Sequence, residues 1–174
     1  MPRQPRRVAV LTSASGSGGT TFGRELAARL GAPFYELDAL FWKPNWTESS
    51  AEELRALVEP LVACKAWVMD GSYQSKLGDL VLRNADLVVW LDLPIRVWFP
   101  RLLRRTVTRV LSREELWAGN HESLRNVFFS RDSLLLFTIR WYGHRRRVYP
   151  TRLAPFRHVR LRSPAEIERF LRGL

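Results

Sequence analysis

Residues 7–21 read RVAVLTSASGSGGTT, a short apolar run followed by a turn made almost wholly of small residues. The apolar run is predicted to be a buried strand. Phosphate-binding loops have the pattern G-x-x-x-x-G-K-[ST] and connect a strand to a helix. Gly18 and Thr20 match this pattern, whereas Ser13 stands at the first glycine and Gly19 at the lysine. The chain therefore has the context of a phosphate-binding loop without its usual cation.

The small residues of this turn leave backbone N–H groups free to surround an anion at the start of the next helix. Seven residues are predicted to bind a nucleotide: Ser15, Gly16, Ser17, Gly18, Gly19, Thr20 and Thr21. The Thr20 hydroxyl is also a predicted Mg²⁺ ligand. An ordinary glycine-rich turn between a strand and a helix is the alternative interpretation.

The rest of the chain predicts alternating strands and helices. Apolar runs predict four further strands, at residues 34–37, 66–69, 87–91 and 158–161, with helical patterns between them. This alternation predicts a parallel sheet with helices on both faces, and ligands of such sheets bind at the C-terminal ends of the strands. With 174 residues, the chain is expected to be one domain with a lid-like helical segment at about residues 95–150.

Three aspartates follow predicted strands. Asp70 is a predicted Mg²⁺ ligand, with a turn cap as the alternative. Asp38 is predicted to orient or deprotonate an acceptor hydroxyl, with a helix cap as the alternative. Asp92 is predicted to cap the turn at Pro94. Trp42 and Tyr73 are predicted to stack on the acceptor.

The net charge of +11 comes from one segment, because residues 96–162 contain 16 arginines and four acidic residues. Arginine is suited to phosphate since its planar group donates two hydrogen bonds at once. The cluster Arg145–Arg147 is predicted to be a solvated surface. The chain has one cysteine, and no apolar stretch long enough to cross a membrane. A cytoplasmic protein without a membrane partner is therefore expected.

Three stretches resemble the adenylate-kinase-like small P-loop kinases, and most closely the FlaR-like topology-modulation proteins. They are the loop and helix at residues 16–30, LDALFWKPNW at residues 37–46 and WVMDGSY at residues 67–73. The resemblance implies a five-stranded sheet in the order 2-3-1-4-5 and the use of ATP with Mg²⁺.

The resemblance also implies roles for two arginines. Arg101 and Arg105 stand where this family has two arginines at the entry to the lid, and a spacing of four places both on one helical face. Adenylate kinases have an arginine for the acceptor phosphate where this chain has Gln74. AMP is therefore not the expected acceptor.

These observations predict an ATP-dependent phosphotransferase that acts on a small-molecule or nucleotide acceptor. The predicted catalytic residues are Asp38, Arg101 and Arg105. A catalytically impaired nucleotide-binding sensor is the first alternative, because Gly19 lacks the lysine charge. A basic nucleic-acid-binding module, with weak electrostatic binding, is the second alternative.

The missing lysine has a predicted kinetic consequence. Its charge would help most while phosphoryl transfer is under way, so slow or absent turnover and a gain on Gly19→Lys are expected. Lys43 and Lys76 lie in predicted loops from which either could supply the lost charge.

Overall fold

A five-stranded parallel sheet is the centre of the fold. The computed structural model describes residues 4–112, 114–121 and 134–174. The strands of this part of the chain are β1 (Arg7–Thr12), β2 (Phe34–Glu36), β3 (Trp42–Lys43), β4 (Thr47–Glu48), β5 (Trp67–Asp70), β6 (Leu87–Leu91) and β7 (His158–Leu161). The main sheet has the order β2-β5-β1-β6-β7, and β3 pairs with β4 in a separate antiparallel hairpin. Counting only the strands of the main sheet, the order is 2-3-1-4-5, which confirms the predicted topology.

Helices follow most of these strands. They are α1 (Gly19–Leu30), α2 (Leu37–Phe41), α3 (Ala51–Val62), α4 (Gln74–Leu77), α5 (Leu80–Asn84), α6 (Ile95–Ser112), α7 (Leu134–Leu153) and α8 (Pro164–Arg172). Helix α1 begins three residues before the predicted start. The predicted lid-like segment contains α6 and α7, and its residues 113 and 122–133 lie outside the described residues.

The sheet is buried on both faces because successive side chains of a strand point to opposite sides. In β1, Val8 and Val10 belong to the core beneath α1 and α8, whereas Ala9 and Leu11 belong to the core that contains α3 and the end of α7. This arrangement explains the near-continuous apolar runs by which the strands were predicted.

Side-chain caps fix the starts of two helices. The Ser50 hydroxyl accepts from the Glu53 N–H while the Glu53 carboxylate accepts from the Ser50 N–H, a reciprocal capping box at α3. At α8 the Ser163 hydroxyl accepts from the Glu166 N–H at 3.2 Å.

The strand register brings two acidic residues together at the C-terminal edge. Glu36 and Asp70 are paired positions of β2 and β5, and Val10 of the central strand is paired with Asp70 on its other side. The chain thus places two carboxylates next to the turn that leaves β1.

Asp92 does not cap the turn at Pro94; it lies at the centre of a buried polar network. Its side chain is inaccessible to solvent, and one carboxylate oxygen accepts from the Ser13 hydroxyl at 2.7 Å. The other accepts from Arg160 at 2.5 Å and from Arg146 at 3.2 Å. The Trp90 indole donates to the Ser13 hydroxyl at 2.8 Å.

This network joins the first residue of the loop to β6, β7 and α7. Arg146 is exposed, as predicted for a solvated surface, but its guanidinium also reaches the buried carboxylate, which the sequence did not predict. The sequence offered no local signal for this pairing, because Asp92 and Arg146 are 54 residues apart.

None of the described helices is both long and apolar enough to cross a membrane.

Replacing Asp92 tests the network. Asp92→Asn should lower the free energy of unfolding by about 2–3 kcal/mol, because two arginines lose their counter-charge yet stay partly in water. The matched control is Glu25→Gln, which removes a carboxylate from an exposed pair with Arg29 and should cost about 0.5 kcal/mol or less. Urea unfolding of both variants measures the difference, and equal losses would contradict the assignment.

Candidate active site

The turn from β1 to α1 takes a conformation that requires glycine. Gly16 has φ +84°, and a Cβ there would lie 2.6 Å from the backbone oxygen of Trp98 in α6. Helix α6 therefore packs directly against the turn. The Ser17 side chain is buried, and its hydroxyl makes no hydrogen bond within the described part of the chain. Ser15 is half-buried and Thr21 is exposed.

Thr20, in the first turn of α1, faces both strand-end carboxylates. Its hydroxyl oxygen lies 3.0 Å from Asp70 Oδ2 and 3.0 Å from Glu36 Oε1. A threonine hydroxyl has one proton, so it can donate to only one of these oxygens at a time. Side-chain oxygens from α1, β2 and β5 thus lie close together. They include those of Thr20 and Asp70, the pair that the sequence predicted.

Glu36 was missing from the predicted site. The sequence prediction extended the second strand to Leu37, so Glu36 was taken as an interior strand residue and Asp38 as the strand-end carboxylate. In the structure β2 ends at Glu36, and Asp38 lies within α2. The strand-end rule that singled out Asp38 and Asp70 would have found Glu36 with the correct boundary.

The carboxylates at the C-terminal edge of the sheet influence the pKa of Asp70. The pKa of Asp70 is raised to about 7, mainly by burial and also by the charges of Asp38 and Glu36, against the Thr20 hydrogen bond, which lowers it. Crowded carboxylates of this kind favour a bound cation.

The donor set fits Mg²⁺, which takes one or two carboxylates and keeps several waters. Thr20, Glu36 and Asp70 offer two carboxylates and a hydroxyl. Among the described residues, no group of three or more His, Cys, Asp or Glu side chains is arranged to hold a metal ion.

Asp38 and Tyr73 form a second pair beside this point. The Tyr73 hydroxyl donates to Asp38 Oδ1. Burial raises the pKa of Tyr73, and the charge of Asp38 raises it further, so the phenol remains a donor at neutral pH. Burial also raises the pKa of Asp38, against the Tyr73 hydrogen bond and the charges of Arg105 and Arg145, which lower it.

Arg145 was predicted to lie on a solvated surface, and the structure corrects this. It is half-buried, and its Nη1 donates to the backbone oxygen of Thr12 at 3.3 Å, at the end of β1. Helix α7 thus brings a guanidinium over the C-terminal edge of the sheet, where its charge acts on Asp38.

Arg101 lies above the start of α1. Its Nη1 is 4.0 Å from the position that a Cβ would take on Gly18, the residue that begins the helix. Within the described residues, Arg101 makes no hydrogen bond or ion pair. Arg105 is half-buried one turn further along the same helix. Of the two predicted arginines, Arg101 thus lies near the loop, whereas the charge of Arg105 acts on Asp38.

The lysine position is filled by a neighbouring carboxylate. A Cβ on Gly19 would lie 2.7 Å from Asp70 Oδ1 and 2.8 Å from Thr12 Cγ2. A lysine at position 19 would therefore have to displace Asp70 from Thr20. This crowding argues against the gain that the sequence analysis expected for Gly19→Lys.

The two lysines that were predicted in loops lie in β3 and α4, and each is paired with a glutamate. Lys43 Nζ pairs with Glu53 at 2.6 Å, and Lys76 Nζ pairs with Glu48 at 3.2 Å. Both partners are more than half exposed. The cations near the loop are instead arginines of α6 and α7.

Trp42 belongs to an aromatic stack that begins at Tyr73. The rings of Tyr73 and Phe41 are 4.3 Å apart, those of Phe41 and Trp42 are 4.8 Å apart, and those of Trp42 and Trp46 are 5.4 Å apart. Phe41 thus stands between Tyr73 and Trp42. Of the two predicted acceptor-stacking rings, Tyr73 is the one that contacts Asp38.

The chain has the fold of the small P-loop kinases. It is similar to shikimate kinase from Bacteroides thetaiotaomicron (TM-score 0.61, 16% identity, covering 98% of this chain and 96% of that one). It is similar to gluconokinase from Sinorhizobium meliloti 1021 (TM-score 0.52, 20% identity, 98% and 96%). It is also similar to deoxyadenosine kinase from M. mycoides with bound dATP (TM-score 0.55, 12% identity, 95% and 97%). No protein-family model and no curated protein matches the sequence.

Alanine at position 19 tests the crowding around Asp70. Gly19→Ala should lower the free energy of unfolding by about 1–3 kcal/mol, because the added methyl group overpacks the site. The matched control is Gly143→Ala, a helical position with open space around it, which should gain about 0.5–1 kcal/mol from helix propensity.

Thermal and urea unfolding measure the stability of both variants. Helix propensity alone favours alanine at both positions, so a loss of stability only in Gly19→Ala would be due to overpacking. Adding Asp70→Ala to Gly19→Ala should recover part of the loss, because the nearest clashing atom is removed. A stabilising Gly19→Ala would mean that the space beside Asp70 is not restrictive.

Proposed function

We propose that this protein is an ATP-dependent phosphotransferase, related to the adenylate-kinase-like small kinases and closest to the FlaR-like group among them. The observation that carries this proposal is the convergence of Thr20, Glu36 and Asp70 at the start of α1, beside the Asp38–Tyr73 pair. The kinase fold of the chain is consistent with it.

The phosphates of ATP would lie against the backbone N–H groups of residues 15–21, where the helix dipole favours negative charge. Thr20 and Asp70, with Glu36, are the residues that would hold Mg²⁺. A bound Mg²⁺ neutralises charge on the β- and γ-phosphates.

Asp38 has the position of a general base. It would accept the proton of an acceptor hydroxyl while that oxygen forms a bond to the γ-phosphorus and the bond to ADP breaks. Tyr73 would hold the carboxylate in place by donating to the Oδ1 oxygen. This leaves the Oδ2 oxygen to face the acceptor.

The positive charge that a loop lysine provides would come from α6 and α7. Arg101 lies above the loop, and the charges of Arg105 and Arg145 act on Asp38. None of these guanidinium groups occupies the lysine position in the loop itself. Slow turnover is therefore expected.

A nucleotide-binding sensor is the second candidate, and the observation that favours it is the space at Gly19 taken by Asp70. A nucleic-acid-binding role has less support. Arg145, Arg146 and Arg160 bond to Thr12 or Asp92 within the fold, which reduces the basic surface offered to a polyanion.

Arginine substitutions test the proposed function. Arg101→Ala and Arg105→Ala should each lower kcat for ADP release by about 10²–10³-fold, since each removes a positioned charge that stabilises the transferred group. Arg147→Ala is the matched control because Arg147 lies exposed on α7 and bonds only to Gly143 within the described structure. That control should retain activity to within about twofold, as expected for an exposed surface charge.

The assay would use Mg-ATP with hydroxylated acceptors that include shikimate, gluconate, deoxyadenosine and AMP, and calorimetry would measure Mg-ATP binding separately. Binding without ADP release on any acceptor would favour the sensor. No binding of millimolar Mg-ATP would reject both candidates.

A further inference from the structure

Two segments outside the main sheet are joined on the acceptor side of the site. One is the acceptor-side hairpin, residues 42–48, which contains β3 and β4; the other is the outer segment, residues 114–121. The Asn120 side chain, 4% exposed, lies between them. Its amide donates to the backbone oxygens of Lys43 at 2.9 Å and Trp117 at 2.7 Å, and its oxygen accepts from the Trp46 N–H at 2.9 Å.

The contact continues into the aromatic stack. The Trp46 indole donates to the backbone oxygen of His121 at 3.3 Å, and its ring lies 6.5 Å from that of Trp117. Through Trp42 and Phe41 the stack reaches Tyr73, whose hydroxyl bonds to Asp38. A continuous path of packed rings thus leads from the outer segment to the proposed general base.

Backbone strain is concentrated along the same path. Within the described chain, the non-glycine residues with positive φ are Asn45 (58°), Trp46 (54°), Tyr73 (42°) and Ala118 (57°). Two lie in the hairpin, one lies in the outer segment and the fourth is the partner of Asp38. Such conformations cost free energy and persist only where surrounding contacts hold them, and they cluster at functional sites.

We propose that Asn120 is a positioning residue that fastens the outer segment to the acceptor-side hairpin and thereby sets Tyr73 and Asp38 in place for the acceptor. This inference rests on the proposed function for the role of Asp38, but the fastening itself does not. Docking of the outer segment and ordering of the acceptor side are then one event, independent of the nucleotide loop.

The amide group of Asn120 is well suited to this task. It supplies two donors and one acceptor to three backbone groups, the oxygens of Lys43 and Trp117 and the N–H of Trp46. Aspartate keeps the acceptor for Trp46 but loses both donors, and alanine loses all three bonds. The two substitutions therefore weaken the contact by different amounts.

Hydrogen exchange of the full chain tests the fastening without any enzymatic activity. Asn120→Ala should raise the exchange rates of amides 42–48 at least tenfold and those of the Tyr73–Leu77 turn measurably. The exchange rates of Asn120→Asp should lie between those of Asn120→Ala and those of the unsubstituted chain. The sheet amides of β1 and β6 should be unchanged. The matched control is Asn84→Ala, which removes an asparagine amide that donates to Leu80 within α5 and should leave both segments protected.

Kinetics then distinguish the two proposals. With an active acceptor, Asn120→Ala should raise the acceptor KM at least tenfold and change the Mg-ATP Kd less than twofold. Faster exchange without activity on any acceptor would leave the fastening supported and reject the proposed function. The role of Asn120 would be overturned if the exchange rates of residues 42–48 or of the Tyr73–Leu77 turn did not change. It would also be overturned if Asn120→Ala weakened the binding of acceptor and of nucleotide equally.

Discussion

The buried carboxylate of Asp92 is the interaction on which the site depends. An ionisable group withdrawn from water is tolerated only when hydrogen bonds and opposite charges surround it. Ser13, Arg146 and Arg160 meet this requirement from the loop, α7 and β7. Because this one carboxylate accepts hydrogen bonds from three elements, a shift of any of them removes a hydrogen bond from a buried charge.

This constraint fixes two parts of the site, one through Ser13 and the other through Arg146. Fixing Ser13 fixes the start of the turn that ends at α1, and so the orientation of the backbone N–H groups there. Fixing Arg146 holds α7 in a position from which the neighbouring Arg145 reaches Thr12. The turn between β1 and α1 and the guanidinium of Arg145 are therefore held by the same buried charge.

The sequence predicted those parts of the fold and site that depend on local patterns. Apolar runs predicted the strands, the family resemblance implied their order and small residues predicted the turn. Thr20 and Asp70 were predicted as a pair, and the structure places their side-chain oxygens 3.0 Å apart. Long-range partners could not be predicted. Asp92 and Arg146 are 54 residues apart, and nothing in either neighbourhood indicates the other.

Glu36 and Asn120 were missed for different physical reasons. Glu36 depended on a strand boundary, and a shift of one or two residues changes which carboxylate stands at the edge. Asn120 depends on two irregular segments whose strained backbones have no periodic signature. Irregular segments are read least well from sequence because their conformations are held by tertiary contacts and not by local preference.

The missing loop lysine is related to the arrangement of the arginines, because both determine how much positive charge lies near the loop. Phosphate groups need positive charge near the loop, yet at position 19 Asp70 and Thr12 leave no room for a side chain. The available cations come from α6 and α7, which also border the acceptor side. In the proposed kinase, the phosphate charge would be balanced by elements outside the loop, so nucleotide and acceptor would share the same guanidinium groups. Acceptor specificity would then depend on segments outside the sheet, which is where proteins of one fold differ most readily in function.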